Sequence, residues 1–135
     1  MSGESRADPL AAPVSNWRWA ALTAGATMTL VVIAATLGPI ESRPHLPISV
    51  NLERAIAYTA MVAAYVIARP RRWLMILSMA ILMAGLLELA QLWTVSRHGS
   101  VRDVMVKMAG CGFGALLGLT AAFIADRLMS GRGKT

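Results

Sequence analysis

The amino-acid sequence predicts an all-α fold: a polytopic membrane protein with four transmembrane helices in an antiparallel bundle. Hydrophobic residues make up 56% of the 135 residues, more than the roughly one half that is usual in soluble domains. They form long apolar runs separated by short charged segments, which is typical of a chain that crosses a bilayer several times. We therefore expect one membrane domain, residues 18–126, between a flexible polar N-terminal tail (1–17) and a basic C-terminal tail (127–135).

Four apolar runs give the approximate limits of the predicted spans, residues 19–37, 52–68, 73–93 and 104–125. The first run has 19 residues, close to the roughly 20 that a helix needs to cross a bilayer core. A signal peptide is the alternative for this run, but its polar lead is long and its apolar stretch exceeds the usual ~7–15 residues. Prolines and charges in residues 38–51 exclude a helix through that segment.

The distribution of basic residues predicts the orientation of the spans. Eight of the 13 Lys and Arg residues lie in the two terminal segments and in the turn between spans 2 and 3, where Arg69, Arg71 and Arg72 have no acidic neighbour. The other five are interleaved with acids. Because basic residues favour the cytoplasmic side of a membrane, both termini are predicted to be cytoplasmic and the two larger loops to lie outside.

Charge and motif content exclude several classes of function. The net charge of +6 is not accompanied by the basic helix or aromatic-rich face of a nucleic-acid-binding protein, so no nucleic-acid partner is expected. We interpret the basic residues as topology signals and as contacts to membrane lipids. Cys111 is the only cysteine, which excludes an intrachain disulfide and a Cys-rich metal site. No phosphate loop, nucleophile elbow or HExxH motif is present, and neither a metal nor a cofactor is predicted.

Charged and polar side chains surround the loop between spans 3 and 4 and extend into both spans. Glu88 lies 15 residues beyond Trp73, about 22 Å along a helix, and is therefore inside an apolar core that is about 30 Å thick. Gln91 lies one turn further along the same helix face. Lys107 lies one turn into span 4, which should run antiparallel to span 3. We therefore expect Glu88 and Lys107 to meet at the same depth.

Two interpretations of these charges stay open. A charge at membrane depth costs at least about 2.5–3.5 kcal/mol and usually finds a partner. In the structural interpretation an ion pair, Glu88–Lys107 or Asp103–Lys107, orients two helices. In the functional interpretation a polar pocket in the outer leaflet binds a lipid headgroup or a small polar ligand, with Arg97 and Arg102 holding phosphate or carboxylate. The candidate ligand-binding residues are Glu88, Gln91, Arg97, Ser100, Arg102, Asp103 and Lys107, with Glu53 and Arg54 at the rim.

Span 4 has a glycine at every fourth position. Gly110, Gly114 and Gly118 form a small-xxx-small repeat, which allows helix backbones to approach closely in lipid. We expect this stripe to pack within the chain, against span 3 or span 1. The alternative is that it binds a membrane protein partner or a second copy of the chain.

The residues around the loop between spans 3 and 4 also match a family pattern. The pattern E-x-x-Q-x(5)-R-x-x-S-x-x-D-x(6)-G-x-x-x-G is formed by Glu88, Gln91, Arg97, Ser100, Asp103, Gly110 and Gly114. It resembles the signature of the VanZ-like family of small bacterial integral membrane proteins, and the resemblance covers about residues 51–118. Members often carry an Asp-Lys pair followed by a His at the second span. Here Glu53-Arg54 replaces the pair, Ala57 or Tyr58 stands in the His position, and Lys107 replaces a common Asn.

The resemblance implies a multi-pass protein of the bacterial cytoplasmic (inner) membrane with a cell-envelope role at its outer face. The family is named for resistance to glycopeptide antibiotics, particularly teicoplanin, which carries a lipid chain, but a family name does not define a site or an activity. We expect a non-enzymatic protein that binds a lipid headgroup or amphiphile. The alternatives are an accessory subunit of a larger membrane complex and an enzyme on lipid-linked substrates, with Glu88 or Asp103 as general base.

Overall fold

A computed structural model describes residues 16–38, 49–92 and 101–132. Within these residues the chain forms four α-helices, α1 (Asn16–Leu37), α2 (Val50–Ala68), α3 (Trp73–Leu92) and α4 (Val101–Arg132). A single 3-10 turn, Pro70–Arg72, joins α2 to α3. Each predicted span lies largely within one of these helices, and the all-helical fold is confirmed for the part of the chain that the structure describes.

Local sequence accounts for the limits of α2. Ser49 caps its N-terminus, where the side-chain oxygen accepts a hydrogen bond from the Leu52 amide at 3.4 Å, and Glu53 in the first turn favours the positive end of the helix dipole. The helix ends at Ala68 because the residue before a proline avoids helical backbone angles. Arg69, which precedes Pro70, has φ −138° and ψ 67°.

The fourth helix is longer than the span that was predicted for it. Residues 104–125 were expected, whereas α4 begins at Val101 and continues to Arg132, inside the basic C-terminal segment. The sequence between these residues contains no proline, so nothing interrupts the backbone hydrogen bonds. The first helix also begins earlier than expected, at Asn16, within the segment predicted as the N-terminal tail.

Contacts between the helix ends define the direction of each helix. Arg18 near the start of α1 pairs with Asp126 near the end of α4 at 3.2 Å. The Gln91 amide near the end of α3 donates to the Thr36 carbonyl near the end of α1 at 3.0 Å. The helices α1 and α3 therefore run in one direction and α2 and α4 in the other, which gives the antiparallel bundle that was predicted.

Three segments are long and apolar enough to cross a membrane, Asn16–Leu37, Pro70–Gln91 and Val101–Leu128. They indicate a membrane protein. The helix α2 is less apolar, because it begins with charged residues and carries two tyrosines along its length. It is also the most enclosed helix at its centre: Tyr58, Val62 and Val66 are at most 2% exposed.

The glycine stripe of α4 packs against α2. A Cβ atom at Gly110 would lie 2.7 Å from the Ala55 carbonyl oxygen, and one at Gly114 would lie 2.5 Å from that of Thr59. At Gly118 a Cβ atom would lie 2.7 Å from the Cβ of a valine further along α2. The Thr59 hydroxyl donates to the Gly110 carbonyl at 3.0 Å. Only glycine permits so close an approach along α4.

This packing corrects the expected partner of the glycine stripe. Packing against span 3 or span 1 was predicted, whereas the stripe packs against α2. The physical reason is that α2 carries its own small-residue repeat, Ala55, Thr59 and Ala63, at the same spacing of four residues. Two such faces fit together better than a glycine face against the larger side chains of α3.

Candidate functional site

An ion pair between α3 and α4 forms the centre of the candidate site. The Lys107 ammonium donates to a Glu88 carboxylate oxygen. Lys107 is 2% exposed and Glu88 is 7% exposed. A buried charge without a partner costs several kcal/mol. Each of these two buried groups therefore needs the opposite charge of the other. The predicted meeting of Glu88 and Lys107 is confirmed.

A second ion pair joins α2 to α4 closer to the end of the bundle. The Arg54 guanidinium donates to the Asp103 carboxylate, and their side chains are 25% and 21% exposed. Asp103 lies one turn before Lys107 on α4, so the two pairs are neighbours along that helix. The alternative pair within α4, Asp103–Lys107, is not formed, because each of the two residues extends to an opposite charge on another helix.

Gln91 connects the site to α1. Its side chain is buried, at 6% exposure, and its amide nitrogen donates to the Thr36 carbonyl at 3.0 Å. The sequence analysis assigned Gln91 to the site but did not include Thr36. Every residue type has a backbone carbonyl, so no sequence signal could have identified Thr36 as the acceptor.

The remaining predicted residues occupy different positions. Glu53 is half-buried in the first turn of α2, and Arg102 is exposed near the start of α4. Neither side chain forms a hydrogen bond or an ion pair with any residue that the structure describes. Arg97 and Ser100 were also assigned to the site, and they lie outside the described residues.

Tyr58 is a polar residue that was not among the predicted site residues. Its side chain is 2% exposed, and its hydroxyl has no hydrogen-bond partner among the described residues. It lies one turn beyond Arg54 on α2, and the Arg54, Glu88 and Cys111 side chains are its ionisable neighbours. The spacing of four residues from Arg54 was the available signal, since such residues share a helix face.

Together these residues form a polar end of the bundle, defined by Thr36, Arg54, Glu88, Gln91, Asp103 and Lys107. All four helices contribute to it. Each of the two cations is neutralised by a carboxylate, so the polar end as defined here carries balanced charge. Both carboxylates are in ion pairs with a cation of another helix.

Comparison of the chain with protein-family models, with curated proteins and with solved structures finds no match. The resemblance to the VanZ-like family therefore stays a prediction.

Proposed function

We propose that this chain is a four-span, VanZ-like protein of the bacterial cytoplasmic membrane that binds the headgroup of a lipid or amphiphile at the polar end of the bundle. The observation that carries the proposal is the buried Glu88–Lys107 ion pair, with the Arg54–Asp103 pair beside it. Ionisable residues at membrane depth are costly and usually functional. The two pairs lie one helical turn apart on α4, so four ionisable side chains are gathered at one end of the bundle.

The directions of the helices support α2 as the fourth span. The helices α1 and α3 run the same way, so the chain has to return between them, and α2 provides that return. If α1 and α3 both cross the bilayer, α2 crosses it as well. Its charged start then lies at the polar end, where Arg54 reaches Asp103.

The opposite end of the bundle supports the proposed orientation. We call it the basic end and define it by Arg18, Arg69, Arg71, Arg72, Asp126 and Arg127. Basic residues outnumber acidic ones there by five to one in this set, which favours a cytoplasmic location. The polar end then faces the outer side of the membrane, as a cell-envelope role requires.

The chemistry of the polar end is suited to an anionic headgroup. Arg54 is the more accessible of its two paired cations, with a side chain 25% exposed. A phosphate or carboxylate can bind the guanidinium in a bidentate manner and displace Asp103. Without a ligand, Asp103 neutralises Arg54, which limits the cost of holding a cation at this depth.

The accessory-subunit alternative has less support. It rested partly on the glycine stripe as a surface for a partner protein, and this face of α4 is covered by α2 within the same chain. A partner that used the stripe would have to displace α2. Lipid binding at the polar end needs no such rearrangement.

Native mass spectrometry after gentle extraction from membranes tests the proposal. We expect wild-type protein to retain a defined lipid, and Arg54→Gln and Glu88→Gln to lose it. Arg71→Gln is the matched control, because it removes an exposed arginine from the basic end and should keep the lipid. Retention of the same lipid by both polar-end variants contradicts headgroup binding. A stoichiometric protein partner that persists in all variants supports the accessory-subunit alternative.

A further inference from the structure

A groove lies on the outer surface of the bundle between α2 and α4. Its volume is about 460 Å³, within the ~300–1,000 Å³ that is usual for ligand sites. On α2 it extends from Leu52 to Ala63, and on α4 from Ala109 to Leu117. Thr59 is the only polar side chain among the described lining residues, and its hydroxyl is engaged with the Gly110 carbonyl.

The groove exists because its floor is made of small residues. Ala60, Ala63, Ala109 and Gly110 line it, and the close contact of Gly110 with α2 leaves no room for larger side chains at the seam. Phe113 is 66% exposed and forms part of the rim. The groove is therefore apolar and opens on the side of the bundle, toward the region that lipid chains occupy.

The length of the groove matches one leaflet. Leu52 and Ala63 are 11 residues apart, which is about 17 Å along a helix. Half of an apolar core of about 30 Å is about 15 Å. The groove therefore begins at the polar end of α2 and extends through the depth that one acyl chain reaches from the same surface.

Arg102 lies beyond the polar end of the groove, on the same face of α4 as the residues that line the groove. Arg102 precedes Ala109 by seven residues, two helical turns, and so shares its face of α4. Arg102 is exposed and has no ionic partner within the described residues. Glu53 is the nearest acid on α2, and its charge lies in the first turn, where the helix dipole stabilises it. Arg102 is thus the cation available to an anionic group.

We propose that this groove binds one acyl chain of a phospholipid whose phosphate contacts Arg102. The inference rests on the proposed headgroup function and adds the chain-binding half of the site. It makes the ligand a membrane lipid that enters sideways from the outer leaflet. The chain lies against Ala60, Ala109 and Phe113, and the phosphate bridges Arg102 and Arg54, from which it displaces Asp103.

Fluorescence quenching by brominated lipid tests the groove directly. Phe113→Trp places a reporter in the groove, and Leu116→Trp places one on an exposed part of α4 outside it. Each substitution is made in a protein whose four native tryptophans are replaced by phenylalanine. Both variants are reconstituted in phosphatidylcholine nanodiscs that contain a minor fraction of phosphatidylglycerol with brominated acyl chains. We expect stronger quenching at position 113 than at position 116, because the groove concentrates the brominated chain.

Two further substitutions, made in the Phe113→Trp protein, identify the contacts. Arg102→Gln should weaken the preference for phosphatidylglycerol about tenfold, the usual effect of losing one charge-assisted hydrogen bond. Ala109→Leu fills the groove and should reduce quenching at position 113 to the level at position 116. Equal quenching at both positions in the parent variants overturns the inference, as does excess quenching that survives both substitutions.

The outcomes separate this inference from the headgroup proposal. If Arg54→Gln loses its bound lipid while position 113 shows no excess quenching, the headgroup site stands and the groove assignment is wrong. If excess quenching depends on Arg102 but Arg54→Gln keeps its lipid, the groove stands and the headgroup site has been assigned to the wrong residues.

Discussion

The two ends of the bundle carry the same kinds of charged groups in different surroundings. At the polar end, Lys107 and Glu88 form an ion pair with side chains 3% and 9% exposed. At the basic end, Arg18 and Asp126 pair at 3.2 Å, with side chains 31% and 51% exposed. In the buried pair, each charge is compensated only by its partner. In the exposed pair, water can solvate either charge if its partner is removed.

The contrast has a structural cause. At the polar end, Glu88 of α3 contacts Lys107 of α4, and both side chains lie inside the bundle. At the basic end, α2 and α3 are joined by a turn that carries two exposed arginines, Arg71 and Arg72. We interpret the charges of the basic end as topology signals, and those of the polar end as a site.

Removal of one partner of the buried pair should have the largest effect. Lys107→Met leaves the Glu88 carboxylate buried without its cation, and we expect a loss of about 3–5 kcal/mol in the free energy of unfolding. The double variant Glu88→Leu/Lys107→Met removes both charges and should be close to wild type. Unfolding in mixed micelles, followed by circular dichroism, measures all three proteins. A double variant as unstable as the single one would show that the pair itself contributes stability.

The glycine contact should have the next largest effect. Gly114→Ala places a Cβ atom 2.5 Å from the Thr59 carbonyl oxygen, so α2 and α4 have to separate, at a cost of about 1–3 kcal/mol. Gly112→Ala is the matched control, because a Cβ atom there meets nothing within 4 Å. The same unfolding measurement should show no loss for this control. Equal losses for both variants would mean that helix flexibility, rather than close approach, determines the effect.

The Tyr58 hydroxyl provides a test of opposite sign. It is buried without a partner among the described residues, so Tyr58→Phe should stabilise the protein by about 1 kcal/mol. Tyr65→Phe is the control on the same helix, since the Tyr65 hydroxyl shares a hydrogen bond of 3.1 Å with the Thr29 hydroxyl. It should destabilise by about 0.6 kcal/mol, a typical value for hydrogen bonds between helices in membranes. Destabilisation by Tyr58→Phe would indicate that this hydroxyl has a polar partner.

The exposed pair of the basic end should show the smallest effect. Arg18→Gln should lower the free energy of unfolding by less than about 1 kcal/mol, because exposed ion pairs are solvated and screened by salt. The comparison with Lys107→Met in the same assay measures the difference between the two ends. A loss as large as that of Lys107→Met would contradict our interpretation of the basic end.

Several features of the site were predictable because they depend on local spacing. The positions of Glu88 and Lys107 relative to the loop between their helices predicted their meeting, since two antiparallel helices joined by a short loop have to be in register near that loop. The contact between Arg54 and Asp103 was not specified, because these residues lie 49 positions apart on helices that do not follow one another. Local spacing contains no information on which non-consecutive helices pack together.

The sequence by itself determined that the chain is helical, that most of its helices are long and apolar enough for a membrane, and that its charges gather at the helix ends. These properties follow from composition and from the period of the helix. Only the tertiary structure decided that the glycine stripe packs against α2, that Asp103 pairs with Arg54, and that a groove lies between α2 and α4. These contacts depend on the fit between helix surfaces that are far apart in the sequence. That fit is seen only when the helices are packed together.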